Sequence, residues 1–386
     1  MDFERKIADV KKGSGLGWKR NASEIIERRK KFFQRKMQDG ILASLPVELD
    51  TEKHWLSFEK KRGKYAPGGE TRPFPSNREI FERCLIGLEE RSQVEDDKLP
   101  VVYSILDAGE SMVGGMFGKP MQFFHRPRHA TYSKAEKVIS DYSELPRIHF
   151  SLDNKWVRRF LSIERYFEEH CGGLFAQHPC LTMDALNFAA EMREATDAYL
   201  DIYEHPEELK ALMEIGLGFN VEFQAAQQKI IGKYADGSFN WLGGWVPFPA
   251  SVSLSVDAYV ICSVETYIEF GFDYQRRLIE HFGHGLMHFH CNRTDLAAEV
   301  AKLPNLELFQ FGGDTRDKIP EIDRLPEMRQ TVGAIPIMVA CDLQEFQVRL
   351  ANHKLMPNVW YSVTAKEFLA VDDANRLMDK VRKYKV

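Results

Sequence analysis

The chain repeats one local pattern. A short apolar run stops at a polar, titratable residue, and a helical periodicity follows. Leu99–Leu106 stops at Asp107-Ala108-Gly109-Glu110, Gly172–Gln177 at His178-Pro179-Cys180, and Ser253–Val256 at Asp257. Leu306–Phe311 stops at Gly312-Gly313-Asp314, Ile335–Ala340 at Cys341-Asp342, and Val359–Val363 is the last such run. With Leu286–Phe289 and a short piece near 239–241, about eight strands alternate with helices, which implies a parallel sheet. A (β/α)8 TIM barrel of ~250 residues plus insertions is the natural way to close it. The expected organisation is α/β, with an N-terminal helical extension over 1–98 and the barrel over 99–386. In such a barrel the residues at strand C-termini carry the chemistry.

The densest of these ends is Gly285-Leu286-Met287-His288-Phe289-His290-Cys291-Asn292. The two-residue period of a strand puts His288 and His290 on one side, and Cys291 begins the turn. Thr294-Asp295 then opens a helix with Leu296, Val300 and Leu303 on one face. Two histidines and a cysteine this close suit metal binding or proton transfer, although a lone strand histidine is commonly just a hydrogen-bonded core residue. Zinc needs three or four ligands, and this stretch supplies only part of a set. Asp257 and His178 would share the same mouth. So would Asp107 and Glu110, unless they serve to cap the helix that follows them. The segment 236–250 holds Asn240, Trp241 and Trp245 among glycines and prolines. It reads as the wall or lid of a pocket for a flat, apolar ligand, or else as a packed surface loop.

Composition narrows the function classes. The net charge of −5 gives no footprint for nucleic acid. No apolar run approaches the ~20 residues of a membrane span, and Met1–Lys6 has no apolar segment behind it, so no secretory signal is expected. Six cysteines lie scattered without a disulfide spacing, which fits free thiols in a reducing cytoplasm. Near the N-terminus, Ser23 is expected to cap a helix running to about Met37, with Ile25, Ile26, Phe32 and Phe33 as its apolar contacts. Its Lys/Arg cluster reads as a solvated face because glutamates are interleaved.

Ser255-Val256-Asp257 followed by Cys262-Ser263-Val264-Glu265-Thr266-Tyr267-Ile268-Glu269-Phe270 resembles a motif of the uroporphyrinogen decarboxylase superfamily. There an Asp precedes "Ser-Pro-Glu-x-Phe-x-x-Phe"; here Val264 stands where proline is usual. His288 stands where that superfamily has the His of its strand-end "His-x-Cys-Gly" or "His-x-Asp-Gly". Tyr203-Glu204-His205-Pro206-Glu207 resembles its "Pro-Glu" helix start, and 107–118 its first strand-turn region. The likeness spans roughly 99–385 and is specific only around 255–292.

The superfamily contains decarboxylases and corrinoid-linked methyltransferases. The decarboxylase motif "Arg-Gln-Ala-Gly-Arg-Tyr" is missing here, and its pyrrole-binding Asp falls near Gly109. The resemblance therefore implies a methyltransferase moving a methyl group between a small substrate and a corrinoid protein. The substrate would be an aromatic methyl ether, a methylamine or a thiol. It further implies a monomer or homodimer. The alternatives are a decarboxylase of uroporphyrinogen or another carboxylated aromatic, and a non-catalytic corrinoid or tetrapyrrole binder. In the methyltransferase branch zinc is held by "His-x-Cys" and a later Cys. Here the corresponding positions are His288, His290, Cys291 and Cys341. Zinc there would activate a thiol or hydroxyl. Without it, His288 or His290 would serve as general acid or base beside Asp257 and Glu110. Asp107, His178, Asn240, Trp241 and Trp245 would bind substrate.

Overall fold

A computed structural model describes residues 16–48, 75–104, 112–124, 132–290, 293–313 and 319–386. Its parallel strands, in chain order, are β1 (Leu42–Ser44), β2 (Val101–Val102), β3 (Ala176–Gln177), β4 (Val252–Ser255), β5 (Gly285–His290), β6 (Leu306–Gly312), β7 (Ile337–Asp342) and β8 (Val359–Thr364). They form a six-stranded parallel sheet in the order β1-β8-β7-β6-β5-β4, and β2 pairs separately with β3. The strands follow one another as in a (β/α)8 barrel, but among the described residues the hydrogen-bonded sheet is open. The closed TIM barrel expected from the sequence is therefore corrected to an α/β fold around an open parallel sheet.

The two breaks have a physical cause. At the free edge of β1, two fully buried carboxylates take the place of a neighbouring strand. Asp97 Oδ2 accepts from the Ala43 amide at 2.8 Å, and Asp96 Oδ2 accepts from the Leu45 amide at 2.8 Å. At the β4 edge, the Thr182 amide donates to the Ser253 carbonyl at 3.1 Å, and the Thr182 hydroxyl donates to the same oxygen at 2.5 Å. Buried edge groups must find partners. Here the Asp96 and Asp97 carboxylates and the Thr182 amide and hydroxyl satisfy them without a neighbouring strand.

Alternation sorts the side chains into two layers. Met287, Phe289, Phe309, Phe311, Ile337, Val339 and Tyr361 face the surrounding helices and join the main core. Leu42, Leu286, Leu308 and Trp360 face the other way and pack with Phe32, Phe33 and Met37. The latter come from helix Ala22–Phe33 and the turn beyond it, which closes the end of the sheet where the strands begin. Residues 22–44 thus contribute both a strand and the floor beneath it.

The basic face of that helix is not fully solvated. Arg29 is 1% exposed. Its guanidinium donates to the Asp97 carbonyl at 2.7 Å, to the Trp245 carbonyl at 3.0 Å and to the Gly243 carbonyl, and it lies 4.3 Å from the centre of the Trp360 ring. Burial lowers its pKa to about 10, which leaves it charged at neutral pH. The helix begins at Ala22 behind Asn21, and Ser23 makes no cap.

A second buried titratable group lies beside β3, whose last residue, Gln177, donates to the Glu164 carbonyl at 2.8 Å. Glu164, in helix Lys155–His170, is fully buried, and neither carboxyl oxygen has a hydrogen-bond partner. Burial drives its pKa well above the usual carboxylate range. The folded state therefore holds a proton that the unfolded chain releases above pH ~4.3, so stability falls as pH rises from there toward the folded pKa. Glu164→Gln is expected to remove that loss. Its stability advantage over the parent should be larger at pH 8 than at pH 5. Urea melts of both proteins at the two pH values measure it, and an advantage independent of pH would refute it.

Candidate active site

The site is built from the strand ends. On β5, Leu286 packs into the floor, and His288 and His290 follow on the same face, closer to the C-terminal end. β4 lies alongside, with Ser255 in register with His288. Two residues past Ser255 the chain turns into the short 3-10 helix Asp257–Ile261, and the Ser255 hydroxyl accepts from the Asp257 amide at 3.1 Å. That turn brings the Asp257 carboxylate over the histidines. Its Oδ1 lies 3.5 Å from His290 Nε2 and 3.9 Å from His288 Nε2. One ligand atom from each of the three groups falls within 4.8 Å of the others. Asp257 Oδ1 is itself buried and accepts no hydrogen bond.

On the other side, β6 sets Gln310 in register with His288 and Gly312 with His290. Gln310 Oε1 is hydrogen-bonded to His288 Nδ1. An amide oxygen can only accept, so Nδ1 carries the proton and the Nε2 lone pair faces Asp257 and His290. The His288 and His290 rings meet edge to face, 4.8 Å between centres. Trp241 meets the His288 ring the same way at 5.7 Å. Gly312 leaves this corner open: a Cβ there would lie 3.4 Å from His288 Cε1.

The other candidates divide. Asp107, Glu110 and Cys291 lie outside the described residues. Cys341 is on β7 with its side chain among Ile337 and Val339 on the helix-facing side, so the structure does not bring it to the histidines. Burial pushes its thiol up to about 12. It lines a separate cleft of about 710 Å³ at the ends of β6–β8, together with Gly313, Ile319, Glu321 and Asp342. His178 is buried, its ring stacked 5.3 Å from that of Tyr103, and burial lowers its pKa to about 4, so it is neutral at physiological pH. No contact among the described residues joins it to His288.

The 236–250 segment, expected as the wall or lid of a pocket or else as a packed surface loop, is largely packed against the body of the protein. It folds as antiparallel strands Gly237–Asn240 and Gly244–Val246, set against Lys233–Tyr234. Trp245 is fully buried among Ile25, Ile26, Leu99 and Phe239, with its indole N–H on the Tyr234 carbonyl at 2.7 Å. Asn240 ties Ser251, Ser253 and the Leu242 amide together. Trp241 alone of the three reaches the histidines.

Two further residues belong to this neighbourhood. Gln310 interrupts the apolar run Leu308-Phe309-Gln310-Phe311 on the inward side, much as His288 interrupts its own run. Asp184 caps helix Ala185–Arg193 through the Asn187 amide at 2.8 Å. Burial, reinforced by the nearby Asp257 carboxylate, pushes its pKa up to about 7.

The chain is similar in fold to a solved methyltransferase from Methanosarcina mazei. The TM-score is 0.58 over 93% of this chain and 98% of that one, at 8% sequence identity. Identity that low makes this a likeness of fold. No protein-family model matches the chain, and no curated protein matches it. Among the described residues, no helix is long and apolar enough to cross a membrane.

Chemically, the three converging groups supply two imidazole nitrogens and one carboxylate oxygen. That set suits zinc or another divalent first-row metal. The four-ligand set with two thiolates does not fit, because Cys341 points into the helix layer. Without a metal, the same groups can hold and move a proton.

Proposed function

We propose that the protein is an enzyme that transfers a methyl group between a small substrate and a corrinoid carried by a partner protein. The observation that carries this reading is the convergence of Asp257, His288 and His290 at neighbouring strand ends. The shared fold with a methyltransferase supports it. The reduced corrinoid supplies a nucleophilic cobalt that accepts the methyl group. The protein's own task is to hold the substrate and stabilise charge on the heteroatom that loses its methyl. Without a metal, His290, with Asp257 beside it, would deliver a proton to that atom. His288 is held in one tautomer by Gln310, so its Nε2 is aimed and does not wander. Trp241 offers the flat surface against which an aromatic substrate would stack.

The test is the absorbance change from cob(I)alamin to methylcob(III)alamin on adding aromatic methyl ethers, methylamines and methylated thiols. Methylation from one of these classes is the expected result. No methylation from any of them would count decisively against the reading. Carbon dioxide release from uroporphyrinogen or another carboxylated aromatic would establish a carboxy-lyase instead. Tight tetrapyrrole binding without turnover would establish a binding protein.

A further inference from the structure

We propose that Asp257, His288 and His290 together hold one divalent metal ion with no thiolate among its ligands, and that the ion's free position takes an oxygen atom of the substrate.

Three independent observations converge on the ion. The first is spacing. A tetrahedral ion with bonds of ~2.0–2.1 Å sets its ligand atoms ~3.3 Å apart. Asp257 Oδ1 stands 3.5 and 3.9 Å from the two Nε2 atoms. Those separations need only small side-chain adjustments. The second is the unmet acceptor. Asp257 Oδ1 is shut off from solvent between two imidazoles and accepts no hydrogen bond, although the side chain as a whole is 37% exposed. An ion between the three groups would satisfy it. The third is orientation. A ligating histidine characteristically donates its other N–H to an acceptor that fixes the ring. Gln310 does this for His288, and it stands on the adjoining strand in exact register.

The ligand chemistry then selects the substrate atom. Thiolates make a site soft, whereas imidazole and carboxylate ligands make it harder. Two imidazoles and one carboxylate leave positions open on the ion. Gly312, where a Cβ would lie 3.4 Å from His288 Cε1, and Trp241, edge to face with the His288 ring, border the cluster. An ether or phenolic oxygen matches that ion better than a thiol. This second half rests on the methyl-transfer reading above; the metal site does not.

The test uses the full chain purified without a histidine tag and reconstituted with cobalt(II) or zinc. Metal content is measured by mass spectrometry, and the visible spectrum of the cobalt form is recorded. The expected result is about one ion per chain, cobalt bands without an intense thiolate charge-transfer absorption, and loss of the ion in Asp257→Ala and in His290→Ala. Cys291→Ser and Cys341→Ser should keep it. Circular dichroism melts check that each variant is folded. No stoichiometric metal in the native chain, retention of metal in the Asp257 and His290 variants, or a thiolate band abolished by Cys341→Ser would each overturn the site. Adding a methoxyphenol, and separately a thiol, to the cobalt form tests the open position. Band shifts with the phenolic ether and none with the thiol are expected, and the reverse overturns the oxygen preference. A metal-replete protein that transfers no methyl group would overturn the proposed function and leave the metal site standing.

Discussion

His288→Ala is expected to lower the rate of methyl transfer by roughly 10²–10⁴-fold, the range a positioned acid–base group contributes, while the fold persists. The side chain is only partly buried, and its removal leaves a single amide oxygen, Gln310 Oε1, without its partner. That costs about 1–3 kcal/mol at most. The control stands two residues earlier on the same face. Leu286 is fully buried in the floor beneath the site. Leu286→Ala is expected to cost about 2–5 kcal/mol through the cavity it opens. Steady-state rates measured beside urea melts separate the two. Near-normal turnover in His288→Ala would remove this residue from the chemistry.

The largest expected loss of stability comes from Arg29→Met, at about 3–5 kcal/mol, the scale for leaving several buried acceptors unpaired at about 1–3 kcal/mol each. Methionine fills much of the space but donates nothing. The carbonyls of Asp97, Gly243 and Trp245 then lose their donor together, and the face of Trp360 loses its cation. Asp97 keeps Arg28 and Arg382, which bond its Oδ1 at 2.9 and 3.0 Å, so the damage centres on the carbonyls. Arg29→Lys keeps the charge but not the planar fork, and should recover only part of the loss. Urea denaturation measures all three proteins. A methionine variant within 1 kcal/mol of the parent would show that the network contributes little.

Much of the site was legible because a strand's period is two. His288 and His290 had to share a face, and Asp257 had to follow the neighbouring strand. The same period also placed Cys341 with Ile337 and Val339, away from any inward-facing group. Metal-ligand expectation overrode that alternation. Gln310 was harder to find, because its value comes from register with His288, and register is set between strands and not within one. In helix Ala22–Phe33 the apolar contacts Ile25, Ile26, Phe32 and Phe33 were legible and are buried, but Arg29, read with the solvated basic cluster, is buried beside them. A buried arginine there requires carbonyl partners some 70 and 215 residues away in sequence, such as those of Asp97 and Trp245, which no local pattern encodes. The open edge at β1 has no local signal, because the Ala43 and Leu45 amides that Asp97 and Asp96 accept from lie more than 50 residues away in sequence.

The pairing of Leu42 with Trp360 has a consequence for how the chain is made. Among the described residues, β1 has no strand partner other than β8, the final parallel strand. At ~5–20 residues per second, roughly 15 s to a minute of synthesis separates the two. Throughout that interval Phe32, Phe33 and Leu42 have been translated but lack the Trp360 surface on which they finally rest. Completion of the floor is therefore a late event that reports on the whole chain. A nascent chain halted before Val359 would display this aromatic cluster, and a chaperone could distinguish it by that exposure from one ready for release.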